Sequence, residues 1–126
     1  MHIEHVAIWT NNLAKMKDFY QKYFEVESTE LYLNPKTQFQ SYFLNFKSGS
    51  RLELTTKKFL SGRVADSLGY SHIAISVGEK ADVDRFTKRF VKDGYPLLSG
   101  PRTTGDGYYE AVIQDPEGNL IELTTD

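Results

Sequence analysis

Cysteine is absent from this 126-residue chain, which excludes a disulfide framework, a thiolate metal site and a cysteine nucleophile. His, Asp and Glu remain as the side chains able to bind a metal. A cysteine-free chain suits a reducing compartment, and the cytoplasm is the expected location. Basic charge in excess is also missing. Lys and Arg number 15 against 17 Asp and Glu, a net charge of -2, so nucleic acid is not an expected partner. No apolar run approaches the roughly 20 residues that a membrane-spanning helix needs, and the N-terminus lacks the basic-then-apolar layout of a secretory leader. A membrane is therefore not expected either. With 40% hydrophobic residues the chain is long enough for one compact domain or two small packed halves.

What the chain does contain is a phrase written twice. Gly49-Ser50-Arg51-Leu52-Glu53-Leu54-Thr55-Thr56 returns as Gly118-Asn119-Leu120-Ile121-Glu122-Leu123-Thr124-Thr125, identical at the glycine, the glutamate, the second leucine and both threonines. On a strand, with its period of two, each glutamate points to the face opposite its apolar neighbours. The opening of the chain is repeated too: His5-Val6-Ala7-Ile8 matches His72-Ile73-Ala74-Ile75 at His, Ala and Ile. Phe19 and Tyr23 follow His5 at the same distances at which Phe86 and Phe90 follow His72.

Taken in order, Ile3 to Thr10 reads as a strand with His5 and Trp9 on one face and Val6 and Ile8 on the other. Asn11-Asn12 can cap a helix whose buried face is Leu13, Met16, Phe19, Tyr20, Tyr23 and Phe24. An Asn34-Pro35 turn precedes an aromatic-rich stretch over 39–46, and the Glu53 strand follows. Lys57 to Tyr70, with two lysines, an arginine and two glycines, is expected to be a linker. The pattern then restarts. A second helix ends at Asp93-Gly94-Tyr95-Pro96, as glycine and a following proline predict. Ser99 to Gly107, rich in glycine, is expected to be a mobile loop or a wide hairpin, Tyr108 to Gln114 a strand, and Asp115-Pro116-Glu117-Gly118 a type I turn into the last strand. The expected organisation is a first module over 1–56, a linker over 57–70 and a second module over 71–126. Each module runs strand, helix, then up to three strands, an α+β fold in which two sheets curve around a shared space.

A single histidine on a strand face is more often a hydrogen-bonded core residue than a ligand, and a single glutamate on an alternating strand is usually solvated. The repetition changes the balance. An acid on an inward face is costly unless a cation neutralises it, and the repeat supplies His5, Glu53, His72 and Glu122 at related positions. Two imidazoles and two carboxylates suit one divalent ion, Ni, Zn, Co, Mn or Fe, with positions open for substrate. His2, near the terminus, is expected to be merely exposed.

These blocks, His5-Val-Ala-Ile, Leu52-Glu53-Leu54, Ser71 to Val77 and Asp115-Pro-Glu-Gly-Asn-Leu-Ile-Glu122-Leu123, resemble the vicinal oxygen chelate superfamily, the group of glyoxalase I, bleomycin-resistance proteins and extradiol dioxygenases. The resemblance spans essentially the whole chain. It implies two tandem βαβββ modules pairing around a central metal and ligand cavity, with a ligand order close to that of glyoxalase I. The superfamily's dioxygenases and fosfomycin-modifying enzymes generally use two histidines and one glutamate, so Glu53 counts against them; epimerases stay open. By resemblance, the activity is that of a lyase or isomerase moving a proton next to a carbonyl, Ni or Zn is the first choice of metal, Glu122 is the base, and Glu53 serves the opposite face. The superfamily also implies a homodimer acting on a small molecule. Glyoxalase I has a glutathione-binding arginine where this chain has Trp9, and an indole cannot replace a guanidinium on a carboxylate. Arg102, Lys57 and Lys58 are candidate cations in its place. The competing function is a metal-free antibiotic-binding protein of the bleomycin-resistance kind, whose aromatic cleft would draw on Trp9, Phe43, Tyr108 and Tyr109.

Overall fold

The computed structural model describes all 126 residues and divides into two compact units, Met1–Val64 and Ala65–Asp126. In the first, β1 (His5–Trp9) leads to α1 (Leu13–Phe24), then to the two-residue strands β2 (Glu27–Ser28) and β3 (Tyr32–Leu33), and to β4 (Gln40–Asn45) and β5 (Arg51–Thr56). Asn12 caps α1, its Oδ1 accepting the Lys15 N–H at 3.0 Å. Met16, Phe19, Tyr20 and Tyr23 recur on one side of that helix and are buried. They pack over β4 and β5, where Leu44, Leu52 and Leu54 complete the core. The sheet order is β1-β5-β4-β2, with β3 also paired to β4. β2 and β3 together hold the place of one broken edge strand.

The second unit repeats the plan: β6 (His72–Gly78), α2 (Lys80–Lys92), β7 (Leu97–Thr103), β8 (Tyr109–Gln114) and β9 (Leu120–Thr125), in sheet order β6-β9-β8-β7. Val83, Thr87 and Phe90 of α2 are buried with Ala111, Ile113, Ile121 and Leu123 of the sheet. The turn into β9 is fixed by the buried Asp115, whose Oδ1 accepts the N–H groups of Glu117 and Asn119, both at 2.9 Å. The chain is thus α+β, two βαβββ modules in tandem, and no helix is long and apolar enough to cross a membrane. No helix or strand lies between Thr56 and His72.

Of the two forms expected for the glycine-rich run, the structure has the hairpin: Ser99 to Thr103 lies in β7, the chain turns back before Tyr109, and β7 pairs antiparallel to β8 with register shifts between Leu97 and Ser99 and between Ser99 and Arg102. Gly100 has a φ of 76°, and a Cβ there would sit 2.4 Å from the Glu110 carbonyl oxygen. Glycine here therefore serves a bulge that lets the two backbones approach, not a break in the strand.

Candidate functional site

Alternation along the strands decides which side chains share a face. On β5, Leu52 and Leu54 are buried under α1, so Arg51 and Glu53 open on the other face. β1 runs parallel to β5 with Ala7 opposite Glu53, which sets His5 and Trp9 on the same face as that glutamate. His5 Nε2 lies 3.8 Å from Glu53 Oε2. Its Nδ1 is held by the Glu4 carboxylate, which also takes the Arg51 guanidinium. The hydrogen bond to His5, joined by that of Arg51, holds the Glu4 carboxyl below its ordinary range. Phe43 lies directly across from Glu53 on β4, its ring edge-on to His5 at 5.2 Å and beneath the Arg51 guanidinium at 4.2 Å.

The second unit builds the same pair in the same register. Ala74 faces Glu122 across the parallel strands β6 and β9, and His72 Nε2 lies 3.5 Å from Glu122 Oε2. Here the Nδ1 partner is a neutral hydroxyl, Ser71 Oγ at 3.3 Å. Glu110 is set diagonally to Glu122, since Val112 is the residue opposite Glu122 on β8. Burial, then the charge of Glu122 and a hydrogen bond to it, push the Glu110 carboxyl upward, while Arg102 opposes them. Arg102 is the direct cross-strand partner of Glu110.

A divalent ion has to fit these donors. Two ligands of one tetrahedral ion with bonds of about 2.1 Å stand about 3.4 Å apart, and each His–Glu pair is near that separation. Glu53 and Glu122 are also the more covered members of their pairs, with side chains 14% and 18% exposed, so in each unit a cation would relieve a largely buried charge. Each unit supplies one imidazole and one carboxylate of this kind. Within neither unit do three His, Asp or Glu side chains converge as a metal-holding group.

Other expected site residues are dispersed. Tyr109 shares the helix-facing side of β8 with the buried Ala111 and Ile113, and its hydroxyl donates to Asp84 of α2 at 2.7 Å. It does not share the face of Glu122. Tyr108 is 54% exposed in the turn before β8, its N–H bonded to Thr104 Oγ1 at 3.1 Å. Arg102, expected in a loop, is on β7, and Lys57 lies over the Trp9 ring at 4.8 Å. Lys58 is over the exposed Phe59 ring at 5.5 Å. Glu4, Arg51 and Glu110 were not singled out by repetition, because the other module has no acid or cation at the matching places. For Glu110 the usable signal was alternation alone, a polar residue flanked by the apolar faces of Tyr109 and Ala111.

Comparison with known proteins follows the same lines. The chain matches the family model described as Glyoxalase/Bleomycin resistance protein/Dioxygenase superfamily over residues 2–123. Among solved structures it is similar to the trypanothione-dependent glyoxalase I of Leishmania major, at 23% identity and a TM-score of 0.80, covering 99% of this chain and 86% of that one. A lactoylglutathione lyase from Agrobacterium tumefaciens is similar at 23% identity and a TM-score of 0.71, over 98% of this chain and 92% of the other. Glyoxalase I from Zea mays, with 20% identity and a TM-score of 0.82, covers 99% of this chain, which spans 44% of the maize chain. At these identities the likeness is one of fold. No curated protein matches. With the family model matched from residue 2 to residue 123 and both modules folded as βαβββ, the chain belongs to the glyoxalase, bleomycin-resistance and dioxygenase superfamily.

Proposed function

We propose that this protein is a glyoxalase-like, metal-dependent lyase or isomerase that moves a proton next to a carbonyl on a small substrate with two adjacent oxygens. The observation that carries the reading is the doubled pair: a histidine Nε2 against a glutamate carboxylate, 3.8 Å and 3.5 Å apart, on the same parallel strand pair of each module. His5, Glu53, His72 and Glu122 together supply the donor set of one divalent ion, Ni or Zn before Co, Mn or Fe. Such an ion, when bound, supplies Lewis-acid stabilisation of the negative charge that grows on the substrate oxygens. Glu4 and Ser71 fix the imidazole rings through Nδ1 and leave each Nε2 free to bind. The Glu122 carboxylate takes the proton from the carbon beside the carbonyl, and Glu53 serves the opposite face of the substrate. The protein acts in the cytoplasm as a homodimer.

Metal content tests this directly. Protein purified without chelator is expected to hold a stoichiometric transition metal, and less than about a tenth of an equivalent, with no uptake on dialysis, sinks the proposal. Loaded protein is then assayed by NMR for exchange of the substrate's proton with deuterated water. Trp9 in place of a glutathione-binding arginine, with the Arg51 guanidinium committed to Glu4, predicts weak turnover of the methylglyoxal–glutathione hemithioacetal. The expected deficit against an established glyoxalase I is roughly one to two powers of ten in kcat/KM. A second reading, a metal-free binder of the bleomycin-resistance kind, is favoured by the half-exposed Trp9 and is what an absence of metal uptake would support.

A further inference from the structure

The two modules share one backbone plan, so a place where they differ in chemistry reports on something other than folding. The far end of the parallel strand pair is such a place. In the second module Ser76 and Asp126 meet there, the serine hydroxyl donating to the carboxylate. The offsets that align His5 with His72 and Glu53 with Glu122 align Trp9 with Ser76 and Lys57 with Asp126. A small polar pair closes the strand end in one half, and a ring with a cation occupies it in the other.

Around Trp9 the first module gathers more aromatic surface. Phe39 meets the indole edge-on at 6.3 Å and Tyr32 of β3 lies 6.2 Å from Phe39. Trp9 remains 52% exposed and Tyr32 55%, an apolar surface that Ser76 and Asp126 show the strand end does not require. The Lys57 ammonium stands over the indole at 4.8 Å with no carboxylate against it. Trp9 lies on the same face as His5 and Glu53, and four strand residues put it about 13 Å from His5. A molecule held at both ends would carry its adjacent oxygens several bonds away from a ring.

We propose that Trp9, Phe39, Tyr32 and Lys57 form a subsite for an aromatic ring bearing a carboxylate, the ring stacking on the indole and the carboxylate pairing with the Lys57 ammonium. This deepens the reading above by naming the substrate's far end, and it rests on that reading only for which end of the molecule reacts. Trp9 is the single tryptophan, so its fluorescence reads the subsite directly. The full chain, chelator-treated and again after nickel loading, is titrated with benzoate, phenylacetate, benzamide and acetate. Saturable quenching is expected with the two aromatic carboxylates, binding at least about tenfold weaker with benzamide, and none with acetate. Lys57→Gln should lower benzoate affinity to the level of benzamide and leave the benzamide curve in place, and Lys57→Arg should restore it. Acetate quenching as well as benzoate, no quenching by any ring compound, or a Lys57→Gln protein titrating like the parent each overturns the proposal. The titration needs no metal. Protein that takes up no ion yet quenches as described removes the metal reading alone, and protein that holds its ion without quenching removes the subsite alone.

Discussion

Replacing Glu110 by Gln should make the metal-free protein more stable at neutral pH, although it removes a charged side chain from a strand face. Glu110 stands diagonally from Glu122 across β8 and β9, and burial, the charge of Glu122 and the hydrogen bond between the two carboxyls raise its pKa in the folded state. A raised folded-state pKa means that the native protein favours the protonated form. That contribution is complete below the unfolded value of 4.5 and is lost as pH rises through the higher folded value. At neutral pH the ionised Glu110 is therefore a liability. Two carboxylates as close as a hydrogen bond between them requires repel by about 1 kcal/mol with water around them and by more as the surroundings dry. Arg102 across the ladder offsets part of this, leaving a gain of about 0.5 kcal/mol for the uncharged isostere. For a chain of this size that is a rise of about 2 °C in Tm. Thermal unfolding of parent and Glu110→Gln in chelator, at neutral pH and near pH 4, in low and high salt, checks it. The gap should narrow on acidification and on adding salt. A Glu110→Gln protein less stable than the parent at neutral pH, or a gap independent of pH, refutes the placement of these two charges.

Three further outcomes are expected. His5→Ala and His72→Ala should each lose the transition metal and the thermal stabilisation it confers, whereas His2→Ala should do neither; elemental analysis and melting with and without added metal decide, and a His72→Ala protein binding metal like the parent would falsify the shared donor set. If the homodimer exchanges modules, mixing inactive His5→Ala with inactive Glu122→Ala should restore part of the activity, and a monomeric mass by light scattering would exclude the dimer. Gly100→Ala should cost about 2 kcal/mol or more in a urea titration, since the new Cβ has both a left-handed φ and the Glu110 carbonyl against it; an unchanged midpoint would show that the β7 bulge relaxes.

Much of this molecule is local and repeated, and that part is readable from the chain alone. Apolar spacing of three and four marks α1 and α2, alternation marks β5 and β9, and Asp115 announces the turn it then makes with its own carboxylate. Because His5 and Glu53 recur with their neighbours as His72 and Glu122, the repeat names the residues of both pairs without any coordinates. Their distances are another matter. Whether an imidazole meets a carboxylate depends on Ala7 lying opposite Glu53 and Ala74 opposite Glu122, a register between strands far apart in the chain.

The same dependence explains what tertiary structure alone decided. The run from Leu97 to Thr103 carries turn-forming residues and is strand only because β8 supplies hydrogen-bonding partners around the Gly100 bulge. Tyr109 and Glu110 are equally polar-edged neighbours in sequence, yet a strand sends them to opposite faces, one to Asp84 of α2 and the other to Glu122. Arg51 reads as a surface cation until Glu4, held beside it by the β1–β5 pairing, engages it together with His5. The residue types and their periodicity are properties of the chain. Which of them face one another is fixed by hydrogen-bonded strand pairing between distant segments, where a slip of one residue would turn every one of these side chains to the other side of the sheet.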